Sequence, residues 1–158
     1  MENEPKVPHE LEAWIGAWGK VYTGKQLPEG MSRGPMGHCF DNCALRASMR
    51  RDLRYVEGIA ALPGQEWKLH AWLTDGIHAY DPTWYAVNRL TKKEVQHPAI
   101  YIGIELPIEK VLTFMRRTQY QAVIANGWRD PITASMILPP RYPIDAAKEY
   151  AIATGQAS

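Results

Sequence analysis

The chain has 158 residues, 46% hydrophobic and 22% charged, which is the usage of a packed domain and excludes a disordered or fibrous chain. That length suits one hydrophobic core and is short for two, so a single domain spanning residues 1–158 is expected. With 18 basic and 17 acidic residues the net charge is +1, which gives no general pull toward nucleic acid or an anionic membrane.

In chain order, Leu11, Trp14, Ile15 and Trp18 recur at helical spacing, with Gly19 and Gly24 as stop signals. Residues 24–37 hold Gly24, Pro28, Gly30, Gly34, Pro35 and Gly37, too many breakers for regular structure, and predict a loop that delivers the chain to Cys39. From Cys39 to Arg51 no breaker occurs, and Arg50 and Arg51 stand where cations suit a helix C-terminus, so Cys39 opens a helix. Three strand-like runs follow, Tyr55–Leu62, Trp67–Thr74 and Ile77–Trp84, separated by Pro63-Gly64 and Asp75-Gly76, and read as an antiparallel meander. Ala99–Leu106 is a further strand. Pro107 then opens a helix whose apolar face is Ile108, Val111, Leu112 and Met115. Ala122–Ala125 fits strand or helix, Pro139, Pro140 and Pro143 force irregular chain, and Asp145–Ala153 is a candidate final helix.

Asp75-Gly76 between apolar runs is a strong two-residue hairpin signal, because a type I′ turn needs positive φ at both central positions. Counting back from it pairs Thr74 with Ile77 and therefore His70 with Asp81, placing imidazole and carboxylate as direct cross-strand neighbours. A carboxylate there fixes one imidazole nitrogen and leaves the other free to act as base. Cys39, at a helix start, faces unpaired backbone amides and the positive end of the dipole, which favour the thiolate and can cradle an oxyanion. Cys39, His70 and Asp81 are thus the candidate nucleophile, base and orienter.

The remaining candidates carry weaker readings. Cys43, one turn further on, is expected to be inert core, and both thiols to be free. Glu57 shares a face with His70 if the Pro63-Gly64 connection is even in length, and Gly58 would let the Cys39 helix pack closely on the sheet. Trp72 and Trp84 are core or cleft wall, and Asn42 is a capping residue or a substrate contact. Arg50, Arg51 and Arg54 read as a solvated helix end able to receive an acidic group. His78 points away from Asp81 by strand alternation, which argues against a zinc site made of Cys39, Cys43, His70 and His78. No metal or other cofactor is expected.

The segments Cys39-Phe40-Asp41-Asn42, Tyr55-Val56-Glu57-Gly58, His70-Ala71-Trp72, Asp81-Pro82-Thr83-Trp84 and Tyr101-Ile102-Gly103-Ile104 together resemble the core of the transglutaminase-like cysteine hydrolases, a branch of the papain-like fold, in its small microbial or phage-type members. The resemblance covers residues 37–105 and leaves 121–158 as a C-terminal extension. It implies an α+β domain in which the nucleophile helix packs on an antiparallel sheet of about four to five strands. It also implies a Cys-His-Asp triad acting through an acyl-enzyme on an amide, isopeptide or ester bond. The expected partner is a peptide, a protein or a small amide or ester substrate, and no nucleic acid or membrane. The calcium sites and accessory domains of larger relatives are missing, which favours hydrolysis over transfer of the acyl group to an amine. An inert binding module on the same scaffold is the other alternative. No glutamine stands at a papain-like interval before Cys39, so Gln26 is the nearest upstream candidate for a side-chain oxyanion donor. The polar Met1–Pro8 segment has no apolar leader-like run, and with the two free thiols it fits a reducing cytoplasm.

Overall fold

A computed structural model describes residues 6–84, 86–87, 90–91, 94–95, 99–119 and 122–128. The chain is α+β, with a five-stranded closed barrel wrapped on one side by helices. Helix α1 (His9–Trp18) carries Glu10 and Glu12 in its first turn, where they complement the dipole, and buries Leu11, Trp14 and Ile15. Strand β1 (Lys20–Lys25) follows at once, and helix α2 (Cys39–Met49) comes after a long loop. Strands β2 (Arg54–Ala61), β3 (Lys68–Thr74) and β4 (His78–Tyr80) form the meander. Two short strands, β5 (Ala86–Val87) and β6 (Glu94–Val95), pair with each other apart from the barrel. Strand β7 (Ile100–Leu106) leads into helix α3 (Ile108–Thr118), which ends on Gln119 in the left-handed conformation, and a short helix α4 (Val123–Gly127) comes last among the described residues.

The barrel order is β1-β4-β3-β2-β7, closed by antiparallel pairing of β7 with β1 and by the one parallel pair, β1 with β4. This closure corrects the expected open meander. Strand β1 falls partly inside the segment read as loop, and its Gly24 is paired to Ala79 instead of ending a helix. Alternation divides the barrel residues cleanly. Tyr22, Val56, Ala60, Trp72, Ala79 and Tyr101, contributed by all five strands, form one buried cluster and fill the interior. Tyr55, Ile59, Ala71, Leu73 and Ile104 point outward and pack under the helices with Leu11, Ile15, Cys43, Val111 and Phe114. The Ala122–Ala125 stretch, open between strand and helix from its sequence, lies in α4, whereas the prolines 139–143, the helix expected over Asp145–Ala153 and most of the extension 121–158 lie outside the described residues.

On β2 the role expected for Gly58 is corrected, and the even-length connection that would place Glu57 with His70 is not formed. Gly58 pairs with His70 on one side and Gly103 on the other, and a Cβ there would fall on the Ile102 carbonyl oxygen, so it serves strand contact with β7 and not packing of α2. Glu57 pairs directly with Ala71, so it faces outward, away from His70.

Candidate active site

The loop before α2 is strapped down at one place. Asn42, 5% exposed, donates from its amide nitrogen to the Pro35 carbonyl (3.0 Å) and to the Thr83 hydroxyl (2.7 Å), and the Gly34 amide donates to the Pro82 carbonyl (2.8 Å). A side chain at position 34 would fall on the Asn42 carboxamide, so glycine lets the strap lie flat against α2. Gly37, at φ +82°, then turns the chain into the helix, and Cys39 becomes the first helical residue. His38 at the N-cap makes no side-chain capping bond, so the first-turn amides of α2 carry no side-chain cap.

His70 and Asp81 arrive by a different register from the one expected. The β3–β4 ladder pairs Thr74 with Ala79 and Leu73 with Tyr80, leaving four residues in the connection. Asp75 enforces this, because its Oδ1 accepts from the Ile77 and His78 amides (2.9 and 2.8 Å) and its Oδ2 from Tyr80 Oη (3.0 Å), so the ladder starts one pair later than a two-residue turn allows. The slip is two residues, and two is the period of a strand. His70 and Asp81 therefore keep a common face but meet on the diagonal, with His70 Nε2 2.7 Å from Asp81 Oδ2.

Asp81, 6% exposed, is saturated with donors. Its Oδ2 also accepts from Tyr101 Oη (2.9 Å), and its Oδ1 accepts from the Thr83 and Trp84 amides (2.9 Å each). Burial opposes its charge, but the His70 cation and these hydrogen bonds outweigh it and hold the carboxyl below its ordinary range. His70, 1% exposed, would lose its proton through burial alone; the charge and hydrogen bond of Asp81, with a smaller contribution from the neighbouring Cys39, raise it to about 10. With Nε2 held by Asp81, Nδ1 is the nitrogen left for the thiol. The Trp84 ring stacks on the imidazole, centroids 4.0 Å apart. Burial, then the charges of Asp81 and Cys39, push the Cys43 thiol well above its ordinary range, so it stays protonated in the core.

Cys39, His70, Thr83 and Trp84 open on one cavity of about 560 Å³, whose other walls include Phe40, Leu62, Leu69 and the start of α4. A second groove, of about 620 Å³, lies past the other end of α2 beside Arg50, Arg51 and Arg54. Arg50 is paired with Asp52 and Arg54 with Glu105, and none of Cys39, His70 or Asp81 reaches it.

Of the residues singled out from sequence, the structure brings Cys39, His70, Asp81 and Trp84 together. It does not bring in the others. Gln26 is exposed just beyond β1 and does not line the cavity. Asn42 faces Pro35 and Thr83, which makes it a strap and not an oxyanion donor. Trp72 is sealed inside the barrel, and Glu57 is on the outer face. His78 bonds Asp75 at the turn (2.9 Å). Tyr101 was not legible as a site residue, since its contact with Asp81 depends on β7 closing onto β1 and β2. Comparison with protein-family models, with curated proteins and with solved structures gave no significant match.

Proposed function

We propose that the chain is a cysteine hydrolase of the transglutaminase-like branch of the papain-like fold, acting on an amide, isopeptide or ester through an acyl-enzyme on Cys39. One observation carries the reading: a thiol at the first residue of α2 shares a cavity with an imidazole whose Nε2 is held by a buried carboxylate. In the reactive ion pair the Cys39 proton already resides on His70; sulfur then attacks the substrate carbonyl carbon, and a C–S bond forms. The oxyanion lies against the first-turn amides of α2, and His70 returns the proton to the departing nitrogen or oxygen as the C–N or C–O bond breaks. Water then attacks the thioester, giving its proton to His70, which hands it back to sulfur as the acid leaves. Asp81 keeps the imidazole in one tautomer throughout. Trp84, stacked on His70, keeps water from one face of the ring.

The test is intact-protein mass spectrometry after mixing with p-nitrophenyl acetate and quenching in acid. The reading expects one acetyl group on Cys39, absent in Cys39→Ala and in His70→Ala, that disappears in water at neutral pH. Acetyl transferred to added cadaverine in place of water would assign the chain to amine transfer. No acylation, with Cys39 labelled by iodoacetamide no faster than a free cysteine, would leave an inert module.

A further inference from the structure

Glu57 is a carboxylate with 2% exposure on the outer face of β2, and its partners are unusual for a strand residue. Oε1 accepts from the Ile124 amide (2.9 Å), and Oε2 accepts from the Val123 amide (3.0 Å) and from Tyr55 Oη (2.8 Å). Val123 and Ile124 are the first residues of α4, whose amides have no partner within the helix. The N-cap residue is Ala122, which has no side-chain acceptor, so the cap comes from a strand 66 residues earlier in the chain. A five-residue helix does not persist by itself, and its position is set by what holds it. Here that is Glu57 together with the buried side chains of Val123 and Ile124. The opposite side of this turn faces the reaction cavity, where Ala122, Ala125 and Asn126 form a wall beside Cys39 and His70.

We propose that Glu57 is a positioning residue that fixes α4 as the acyl-binding wall of the Cys39 cleft, and that the group bound there is apolar. The proposal rests on the reading of Cys39 as nucleophile. Ala122 and Ala125 stand in one cavity with Leu62, Leu69 and Phe40, an apolar stretch that suits an aliphatic or aromatic acyl chain, while Gln65, Glu66 and Lys68 also line the cavity. Glu57 touches neither thiol nor imidazole, so its influence is on how the acyl chain is held and not on the reactivity of sulfur.

The experiment compares hydrolysis of p-nitrophenyl acetate and p-nitrophenyl hexanoate by the full chain and by Glu57→Gln, in which an N–H replaces one acceptor facing the α4 amides. Amide exchange over residues 122–127 and iodoacetamide labelling of Cys39 are read on the same samples. The expected result is a preference for hexanoate in the parent that falls roughly tenfold in the variant, mainly through KM. Exchange over 122–127 should quicken while labelling of Cys39 keeps its rate. Should Glu57→Gln fail to fold, Ala125→Phe, which fills the wall from the other side, must lower hexanoate turnover more than acetate turnover. An unchanged preference in an active variant with quickened exchange overturns the proposal and leaves the nucleophile reading intact. Equal loss on both esters together with slowed labelling overturns it too, because Glu57 would then support the triad itself. A parent that is acylated by neither ester overturns both.

Discussion

His70 and Asp81 meet on a diagonal across the β3–β4 ladder, and the 2.7 Å bond between them survives a register two residues away from a tight-turn count. The carboxylate reaches back along the strand to the imidazole and takes a second donor, Tyr101, from the far side of the barrel. This geometry makes the pair depend on three strands at once.

Asp81→Asn is expected to fold and to lower turnover by orders of magnitude, since an amide in that place no longer selects the imidazole tautomer. Cys39→Ala and His70→Ala should each abolish turnover, and the double variant should be no worse than either single one. Ester kinetics on the variants check this; substantial activity in Cys39→Ser with loss in Cys43→Ser would move the nucleophile to the other thiol.

Tyr101→Phe removes a donor to a buried charged acceptor and should lower stability by about 1.5–3 kcal/mol, read from urea unfolding. Activity should fall far less than in Asp81→Asn, because Asp81 keeps His70 and two backbone amides. A drop as large as that of Asp81→Asn would show that Tyr101 takes part in the chemistry.

The alkaline limb of the pH profile should report His70. Its value is raised in the fold from 6.5 to about 10, so the stabilisation from its pairing with Asp81 is complete below about 6.5 and is lost as pH rises through about 10. In the proposed reaction, the imidazolium that would protonate the leaving group disappears over the same range. Turnover should decline near that value, and Asp81→Asn should bring the decline to lower pH.

Glu57 gives a separate signature in stability. Burial raises it from 4.5 to about 7 against the opposing pull of its three hydrogen bonds. The folded chain therefore binds more protons than the unfolded chain between those values, and stability falls as pH rises through that window. The titratable groups facing Glu57 are Tyr55 on its own strand and Cys43 on α2, both raised by burial and silent at these pH values. Urea titrations at pH 4.5 and 7.5 should show this slope in the parent and a flatter one in Glu57→Gln.

Gly58→Ala should destabilise the barrel by about 3 kcal/mol or more, since the new methyl meets backbone of β7 that has no rotamer to yield. Thermal unfolding checks it. A loss below about 1 kcal/mol would mean that β2 and β7 separate easily.

The sequence was readable where local rules decide. The start of α2 at Cys39, the three meander strands, β7 and α3 follow from breakers and periodicity, and they appear within a few residues of their expected bounds. The common face of His70 and Asp81 was readable for a subtler reason: alternation has period two, so a turn misjudged by two residues still delivers the right side. The side of Glu57 stayed conditional in the sequence because the β2–β3 count carries no such protection, and a change of one in the connection reverses every side chain. Strand β1, Tyr101 at Asp81 and the cap of α4 were not readable, since each is a pairing between segments far apart, and nothing in the local residues announces the partner.

Barrel closure also sets an order of events during synthesis. Strand β1 emerges early, yet its partners in β4 and β7 lie more than 50 positions downstream, with Thr23 waiting for His78 and Lys20 for Gly103. Contacts of such long range are slow to form, because the loops between them must close before any pairing rewards them. The ribosome releases Cys39 ahead of His70, Asp81 and Tyr101 in turn. Through the first half of translation the thiol has no imidazole beside it, and Asp81 gains its Tyr101 donor only when the last barrel strand docks. Docking of the last barrel strand completes the barrel side of the site, and the α4 wall follows it in the chain.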